Sequence, residues 1–105
     1  MNMVLKKDKQ KVLGEHFDDE RIKSFLLFLP PTGTNTDFHL LEKAYRGMIA
    51  ENFATFVKFF LAEGRDINAT NPSGHTLLDI VSRHRHGSEY ADTLIKAGAE
   101  KGDKR

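Results

Sequence analysis

Apolar side chains recur at the spacing of an α-helix in five stretches of this 105-residue chain. Residues three and four positions apart lie on one face of a helix, so each stretch can pack one face on a core. The stretches cover about residues 18–29, 36–48, 50–64, 76–85 and 88–98. Gly, Pro, Asn and Ser between them are typical of turns and loops. The pattern predicts an all-α fold.

The first predicted helix begins at an acidic cluster and ends at a pair of prolines. Asp18 can accept a hydrogen bond from the first turn, and Pro30 cannot continue the helical hydrogen bonding. Leu27 and Phe28 add apolar side chains outside the main apolar face. We therefore expect this helix to be buried on two sides.

The later helices also carry recognisable start and stop signals. Thr36 or Asp37 is predicted to cap the second helix, and Gly64 is predicted to follow the end of the third. Thr76 is followed three positions later by Asp79, which is the spacing of a capping box. The fourth helix should therefore begin directly after this threonine.

A connection and a tight turn separate the third and fourth predicted helices. Residues 65–70 have the composition of an extended segment, and residues 71–74 (Asn-Pro-Ser-Gly) that of a β-turn. Residues 64–80 together resemble the junction between two ankyrin repeats, where Gly ends a helix and a Gly-x-Thr-Pro-Leu-His signature begins the next unit. Thr76 and Leu78 stand at the Thr and Leu of that signature.

Two positions depart from the ankyrin signature. Leu77 replaces its proline and Asp79 replaces its histidine. The glycines that follow the two second helices, Gly64 and Gly98, lie 34 residues apart. This separation is close to the ankyrin period of about 33 residues, so the resemblance extends over two successive units.

The resemblance implies ankyrin-like stacked helical hairpins in a single domain. Residues 71–99 form the clearer unit, and residues 36–70 a degenerate one. Short repeat arrays need terminal elements that cover their open faces, and the helix at 18–29 is the predicted N-terminal cap. A basic segment at 1–17 and a charged tail at 100–105 complete the chain.

Ankyrin repeats bind partner proteins through their turn tips and inner helix faces. The resemblance therefore implies a non-enzymatic protein-interaction module. The residues predicted to bind the partner are Arg65, Asn71, Pro72, Ser73, His75 and Arg83. The whole chain is also similar to a small family of uncharacterised bacterial proteins that share a Lys-Lys-Asp-Lys-Gln start and a Gly-Arg-Asp-Ile-Asn-Ala-Thr stretch, and this similarity implies no activity.

Composition narrows the chemistry further. Sixteen basic and 15 acidic residues give a formal net charge of +1, whereas dedicated nucleic-acid binders carry a clear basic excess. The chain has no cysteine for disulfides, thiol catalysis or zinc, and no phosphate-binding or catalytic motif. It also has no signal-like or membrane-length apolar stretch. We expect a monomeric cytoplasmic protein that needs no cofactor or metal.

The sequence also suggests two alternative functions. His75, His84 and His86 suggest a metal-responsive or small-molecule-responsive domain, but histidines two positions apart on a helix point in different directions. The basic residues at positions 83–86 could instead complement the C-terminal end of the fourth helix, where the helix dipole is negative. Residues 6–11 and 101–105 suggest an accessory nucleic-acid binder that contacts phosphates through its basic tails.

Overall fold

The structure, a computed structural model, describes residues 16–28, 30 and 33–101. Most of the predicted basic segment and residues 102–105 of the charged tail lie outside the described residues. Within the described ranges the chain has no strand, so the predicted all-α class is confirmed. The helical elements are α1 (Asp19–Ser24), a 3₁₀ helix (Phe25–Leu27), α2 (Thr36–Gly47), α3 (Ala50–Ala62), α4 (Leu77–Val81) and α5 (Ser88–Lys96).

The four later helices form two hairpins that lie side by side. A two-residue connection joins α2 to α3, and the two helices pack together. The second hairpin consists of α4 packed on α5. Between the hairpins, α2 contacts α4 and α3 contacts α5, so the helices make two layers. The first hairpin is also covered by α1, which packs on α3, and by the 3₁₀ helix, which packs on α2.

Three phenylalanines of α3 form the centre of the core. Phe53, Phe56 and Phe60 are fully buried, and their successive ring centroids lie 6.3 and 5.8 Å apart. They recur at three- and four-residue spacing, which places them on the same side of α3. Burying a side chain of this size is worth about 1.5–3 kcal/mol. The same core includes Ile22, Phe38, Leu40, Leu41, Ala44, Met48, Val57, Leu77, Val81 and Leu94.

The N-terminal helix is shorter and less buried than the sequence predicts. Asp18 caps it as expected, accepting a hydrogen bond from the Arg21 N–H at 2.8 Å, but α-helical structure ends at Ser24. The chain then tightens into the 3₁₀ helix, and Leu27 is left 77% exposed. Burial on two sides is therefore wrong. The 3₁₀ helix instead lets Phe25 pack within 2.9 Å of the position a Cβ atom would occupy on Gly47.

The cap of α2 also differs from the prediction. Asn35, rather than Thr36 or Asp37, caps the helix, and its Oδ1 accepts a hydrogen bond from the Phe38 N–H at 3.1 Å. The carboxylate of Asp37 is used elsewhere, because it binds Arg65 and the Asp66 N–H. A long-range partner therefore decides between neighbouring residues that are all suitable caps.

A close approach between α4 and α5 depends on Gly87. A Cβ atom at this buried glycine would lie 2.5 Å from the carbonyl oxygen of Val81. Its φ of −96° is open to any residue, so the requirement comes from space rather than from backbone conformation. The missing side chain lets α5 begin directly against the end of α4.

Adjacent residues of α5 give a matched test of this packing. Leu94 is 0% exposed and Ile95 is 57% exposed, and the two side chains are isomers. Leu94→Ala should lower the free energy of unfolding by about 2–5 kcal/mol because it leaves a cavity in the core. Ile95→Ala should change it by less than about 1 kcal/mol. Urea denaturation of both variants measures the difference, and equal losses would contradict the packing described here.

Candidate interaction surface

The turn after the third helix is held by its own hydrogen bonds. The side-chain oxygen of Asn71 accepts hydrogen bonds from the backbone N–H groups of Ser73 and His75, both at 3.0 Å. The Asn71 N–H donates to the His75 carbonyl, and the Gly74 N–H donates to the Asn71 carbonyl, both at 2.9 Å. Gly74 has a φ of +87°, a conformation that side chains disfavour. The shape of the turn is therefore specified by hydrogen bonds within the turn itself.

The predicted site residues in this turn have different surroundings. Pro72 and Ser73 are exposed. Asn71 is half-buried, and its side chain is committed to the turn. His75 is also half-buried, and its Nδ1 lies 3.9 Å from a carboxylate oxygen of the buried Asp79. The exposed part of the turn is therefore centred on Pro72 and Ser73.

The predicted capping box anchors this turn to α4. The Thr76 hydroxyl accepts a hydrogen bond from the Asp79 N–H at 3.2 Å, and the Asp79 carboxylate accepts one from the Thr76 N–H at 2.9 Å. Both side chains are buried. The Thr76 hydroxyl also donates to the Glu100 carbonyl at 2.9 Å. One threonine thus fixes the start of α4 and the segment that follows α5.

Asn68 joins the segments that follow the two second helices. Its Oδ1 accepts a hydrogen bond from the Glu100 N–H at 2.6 Å, and its Nδ2 donates to the Gly98 carbonyl at 3.4 Å. The Asp66 carboxylate in turn accepts from the Asn68 N–H at 2.8 Å. The connection after α3 therefore lies beside the chain after α5.

Arg65 lies at the start of this connection and bridges two acidic residues. Its guanidinium donates to the carboxylates of Asp37 and Glu63, each at 2.8 Å. These hydrogen bonds, chiefly the one to Asp37, raise the pKa of Arg65 above its ordinary value. The structure thus gives Arg65 a role in joining α2 to the connection. Its predicted role in partner binding stays a prediction.

Arg83 follows the C-terminal end of α4, whereas the turn at residues 71–75 precedes the N-terminal end. The helix ends at Val81, so residues 83–86 (Arg-His-Arg-His) occupy the turns that follow and not the end of the helix, where the sequence places them. All four side chains are exposed. Neither Arg83 nor Arg85 forms an ion pair with any residue in the described part of the chain.

His84 is held by an aromatic cluster that the sequence pattern does not predict. A hydrogen bond joins its Nδ1 to the Tyr45 hydroxyl, and the two rings stack with centroids 5.6 Å apart. Tyr45 in turn packs edge-on against Tyr90 at 4.9 Å, and the Tyr90 hydroxyl donates to the Met48 carbonyl at 2.6 Å. The cluster fixes the turn after α4 against the end of α2.

The structure thus separates the predicted site residues into three places. Residues 71–75 form one continuous turn, Arg65 lies on the connection, and Arg83 follows α4. The contacts of Asp37 with Arg65 and of Tyr45 with His84 hold these segments in position, and the sequence does not predict either contact. The spacing of apolar residues in α2 does not indicate either contact, because the partners of Asp37 and Tyr45 lie 28 and 39 residues away in the sequence.

The capping box gives a test of how firmly the turn is anchored. Thr76→Val keeps the shape of the side chain and removes the hydroxyl that accepts from Asp79 and donates to Glu100. Loss of a cap of this kind should lower the free energy of unfolding by about 1–2 kcal/mol. Thr70→Val is the matched control, because the Thr70 hydroxyl makes no hydrogen bond to the described residues. Equal stability of the two variants would contradict the anchor.

The two tyrosines predict an alkaline loss of stability. Burial raises the pKa of the Tyr45 hydroxyl, with a smaller opposing effect of Arg46. Burial, followed by the nearby Tyr45 and Glu89, also raises the pKa of Tyr90. In the unfolded chain both groups ionise near pH 10, while the folded chain still holds their protons. Stability is therefore fully present below about pH 10 and falls as the pH rises through the folded values.

Denaturant titrations between pH 8 and 11 measure this loss. A variant with both Tyr45→Phe and Tyr90→Phe should be less stable at pH 8 because two hydrogen bonds are lost. Its stability should nevertheless fall less steeply above pH 10 than that of the parent chain. Parallel curves for the two proteins would show that neither hydroxyl changes its pKa on folding.

Comparisons with known proteins do not assign a family or a function to the chain. No protein-family model, curated protein or solved structure matches the chain. In the described ranges, no three His, Asp or Glu side chains form a group that could hold a metal ion. None of the helices described is both long and apolar enough to cross a membrane. The predicted resemblances to ankyrin repeats and to a bacterial family stay predictions.

Proposed function

We propose that this protein is a protein-interaction module of the ankyrin-like type and has no catalytic role. Its partner is another protein, which it binds through the turn at residues 71–75 and through Arg83, the exposed residue that follows α4. We further propose that it acts as a cytoplasmic monomer. A chain without cysteine is compatible with a reducing compartment.

The layered arrangement of the helices supports the ankyrin-like architecture. Two helical hairpins lie side by side, with first helices in contact and second helices in contact. The segment after each second helix begins at a glycine with positive φ, Gly64 and Gly98. Asn68 and Thr76 then join these two segments by hydrogen bonds. Stacked repeat units end their second helices in the same way and contact each other directly. The two glycines and the hydrogen bonds of Asn68 and Thr76 fit this arrangement.

The internally hydrogen-bonded, exposed turn is the observation that carries the proposed function. Asn71 and the backbone satisfy the internal hydrogen bonds of the turn. Pro72 and Ser73 are exposed, and their side chains have no structural contact comparable to that of Asn71. A loop that is already ordered loses little conformational freedom when a partner binds. Such a turn is suited to recognition through shape and a few polar contacts.

The predicted site residues take different parts in this proposal. Pro72, Ser73 and the exposed edge of His75 contact the partner, whereas Asn71 holds the turn in shape. Arg65 orients the connection through Asp37, and its exposed atoms lie beside the bound protein. Arg83 supplies a separate contact beyond the other end of α4.

A photocrosslinking experiment tests this proposal. A photoreactive amino acid at Ser73 in the full chain should capture a protein partner from cell extract, and mass spectrometry identifies it. The purified partner is then titrated against Ser73→Glu and Arg83→Glu. We expect each substitution to weaken binding about fivefold or more, because an interface contact is replaced by an unpaired charge.

Glu20→Lys serves as the control, because it reverses an exposed charge on α1 outside the proposed surface. Circular dichroism and thermal melting establish that all three variants are folded. Affinity that is unchanged by Ser73→Glu but reduced by Glu20→Lys would move the binding surface to the N-terminal helix. Affinity unchanged by any variant would overturn the assignment of the function to the turn.

A further inference from the structure

An open apolar groove runs between the two second helices, on the other layer of the fold from α4. It encloses about 390 Å³. From α3 it is lined by Ala54, Val57 and Leu61, and from α5 by Thr93 and Ala97. Leu61 is 39% exposed although it belongs to the helix that forms the core. Small residues on both helices leave room for side chains of another molecule between them.

Two lysines line the same groove, one from each helix. Lys58 belongs to α3 and Lys96 to the last turn of α5, and both side chains are exposed. No carboxylate is among the groove-lining residues. Neither lysine forms an ion pair or a ring contact within the described ranges, in contrast to Lys23 and Lys43, which lie over aromatic rings.

Neighbouring positions on each helix show which side chains could pair with the two lysines. Residues three and four positions from Lys58 within α3 are Ala54, Thr55, Leu61 and Ala62, none of which is acidic. Lys96 has Asp92 one turn earlier, but the two side chains do not form an ion pair. The groove therefore combines an apolar floor with two lysines that form no ion pair with residues of the described ranges.

We propose that this groove binds an acidic amphipathic segment of a partner protein. The apolar side chains of that segment fill the space beside Leu61 and Val57, and its carboxylates pair with Lys58 and Lys96. This is the helix-in-groove mode of recognition, in which apolar anchors supply affinity and flanking charges supply orientation. The site is distinct from the turn at residues 71–75 and does not depend on the function proposed for that turn.

Charge decides between this occupant and the other candidates. Two copies of the chain that met symmetrically through the groove would bring like-charged lysines together, which opposes association. A nucleic acid would gain only two cationic contacts and would leave the apolar floor uncovered. An acidic amphipathic segment satisfies both features at once.

Two synthetic peptides test the proposal on the full-length chain labelled with ¹⁵N. Both are twelve-residue helical peptides with leucine at the same apolar positions, and they carry either glutamate or lysine at every polar position. The glutamate peptide should shift the backbone amide resonances of residues 54–61 and 93–97. Fluorescence anisotropy should give it an affinity about tenfold or more above that of the lysine peptide, because two charge pairs become two repulsions.

Charge reversal of the groove provides the second measurement. Lys58→Glu and Lys96→Glu should each weaken binding of the glutamate peptide about threefold or more, and the double variant should prefer the lysine peptide. Arg85→Glu is the matched control, because it reverses an exposed cation that lies outside the groove and forms no ion pair in the described part of the chain. A misfolded variant would lose binding of both peptides and would not come to prefer the lysine peptide. Reversed peptide preference therefore distinguishes direct contact by Lys58 and Lys96 from a role in folding.

The same experiments define what would overturn the proposal. Equal affinity for the two peptides, or shifts centred on residues 71–75 or 83–86, would place binding elsewhere. Concentration-dependent shifts of the groove amides without peptide would identify a second copy of the chain as the occupant. Ser73→Glu should leave peptide binding unchanged, so failure of the groove proposal and failure of the turn proposal give different results.

Discussion

Packing of the phenylalanines of α3 is the interaction on which the rest of this fold depends. Phe53, Phe56 and Phe60 are fully buried along a single helix that contacts α1, α2 and α5. A chain of this size has only one core to stabilise it, and here that core is built around one helix. The N-terminal helix and both hairpins are consequently positioned relative to α3, and the surfaces between them follow from its packing.

Polar side chains complete what apolar packing begins. Asp37, Asn68 and Thr76 each form a hydrogen bond with a segment distant in the sequence. Each of these bonds pairs a backbone N–H or carbonyl group that lies outside the helices. Irregular connections bury polar backbone atoms that need such partners. These contacts make the connection after α3 a fixed element, which is why the turn that follows can have a defined shape without belonging to a sheet.

The two proposed surfaces differ in chemistry because they lie in different parts of this arrangement. The turn at residues 71–75 exposes Pro72 and Ser73 on an internally hydrogen-bonded backbone, which suits recognition by shape. The groove between α3 and α5 exposes apolar atoms beside Lys58 and Lys96, which suits an acidic amphipathic segment. Since the groove belongs to the layer of second helices, occupation of one surface does not cover the residues of the other.

The sequence by itself determined the features that depend on neighbours along the chain. The helical class, the cap at Asp18 and the box formed by Thr76 and Asp79 are all local, because their partners lie within four residues. Only the tertiary structure decided that Asp37 binds Arg65, that the N-terminal helix stops at Ser24, and that an apolar groove opens between α3 and α5. These features depend on which helices meet, and a one-dimensional pattern of apolar and polar residues specifies which face is buried without specifying its neighbour.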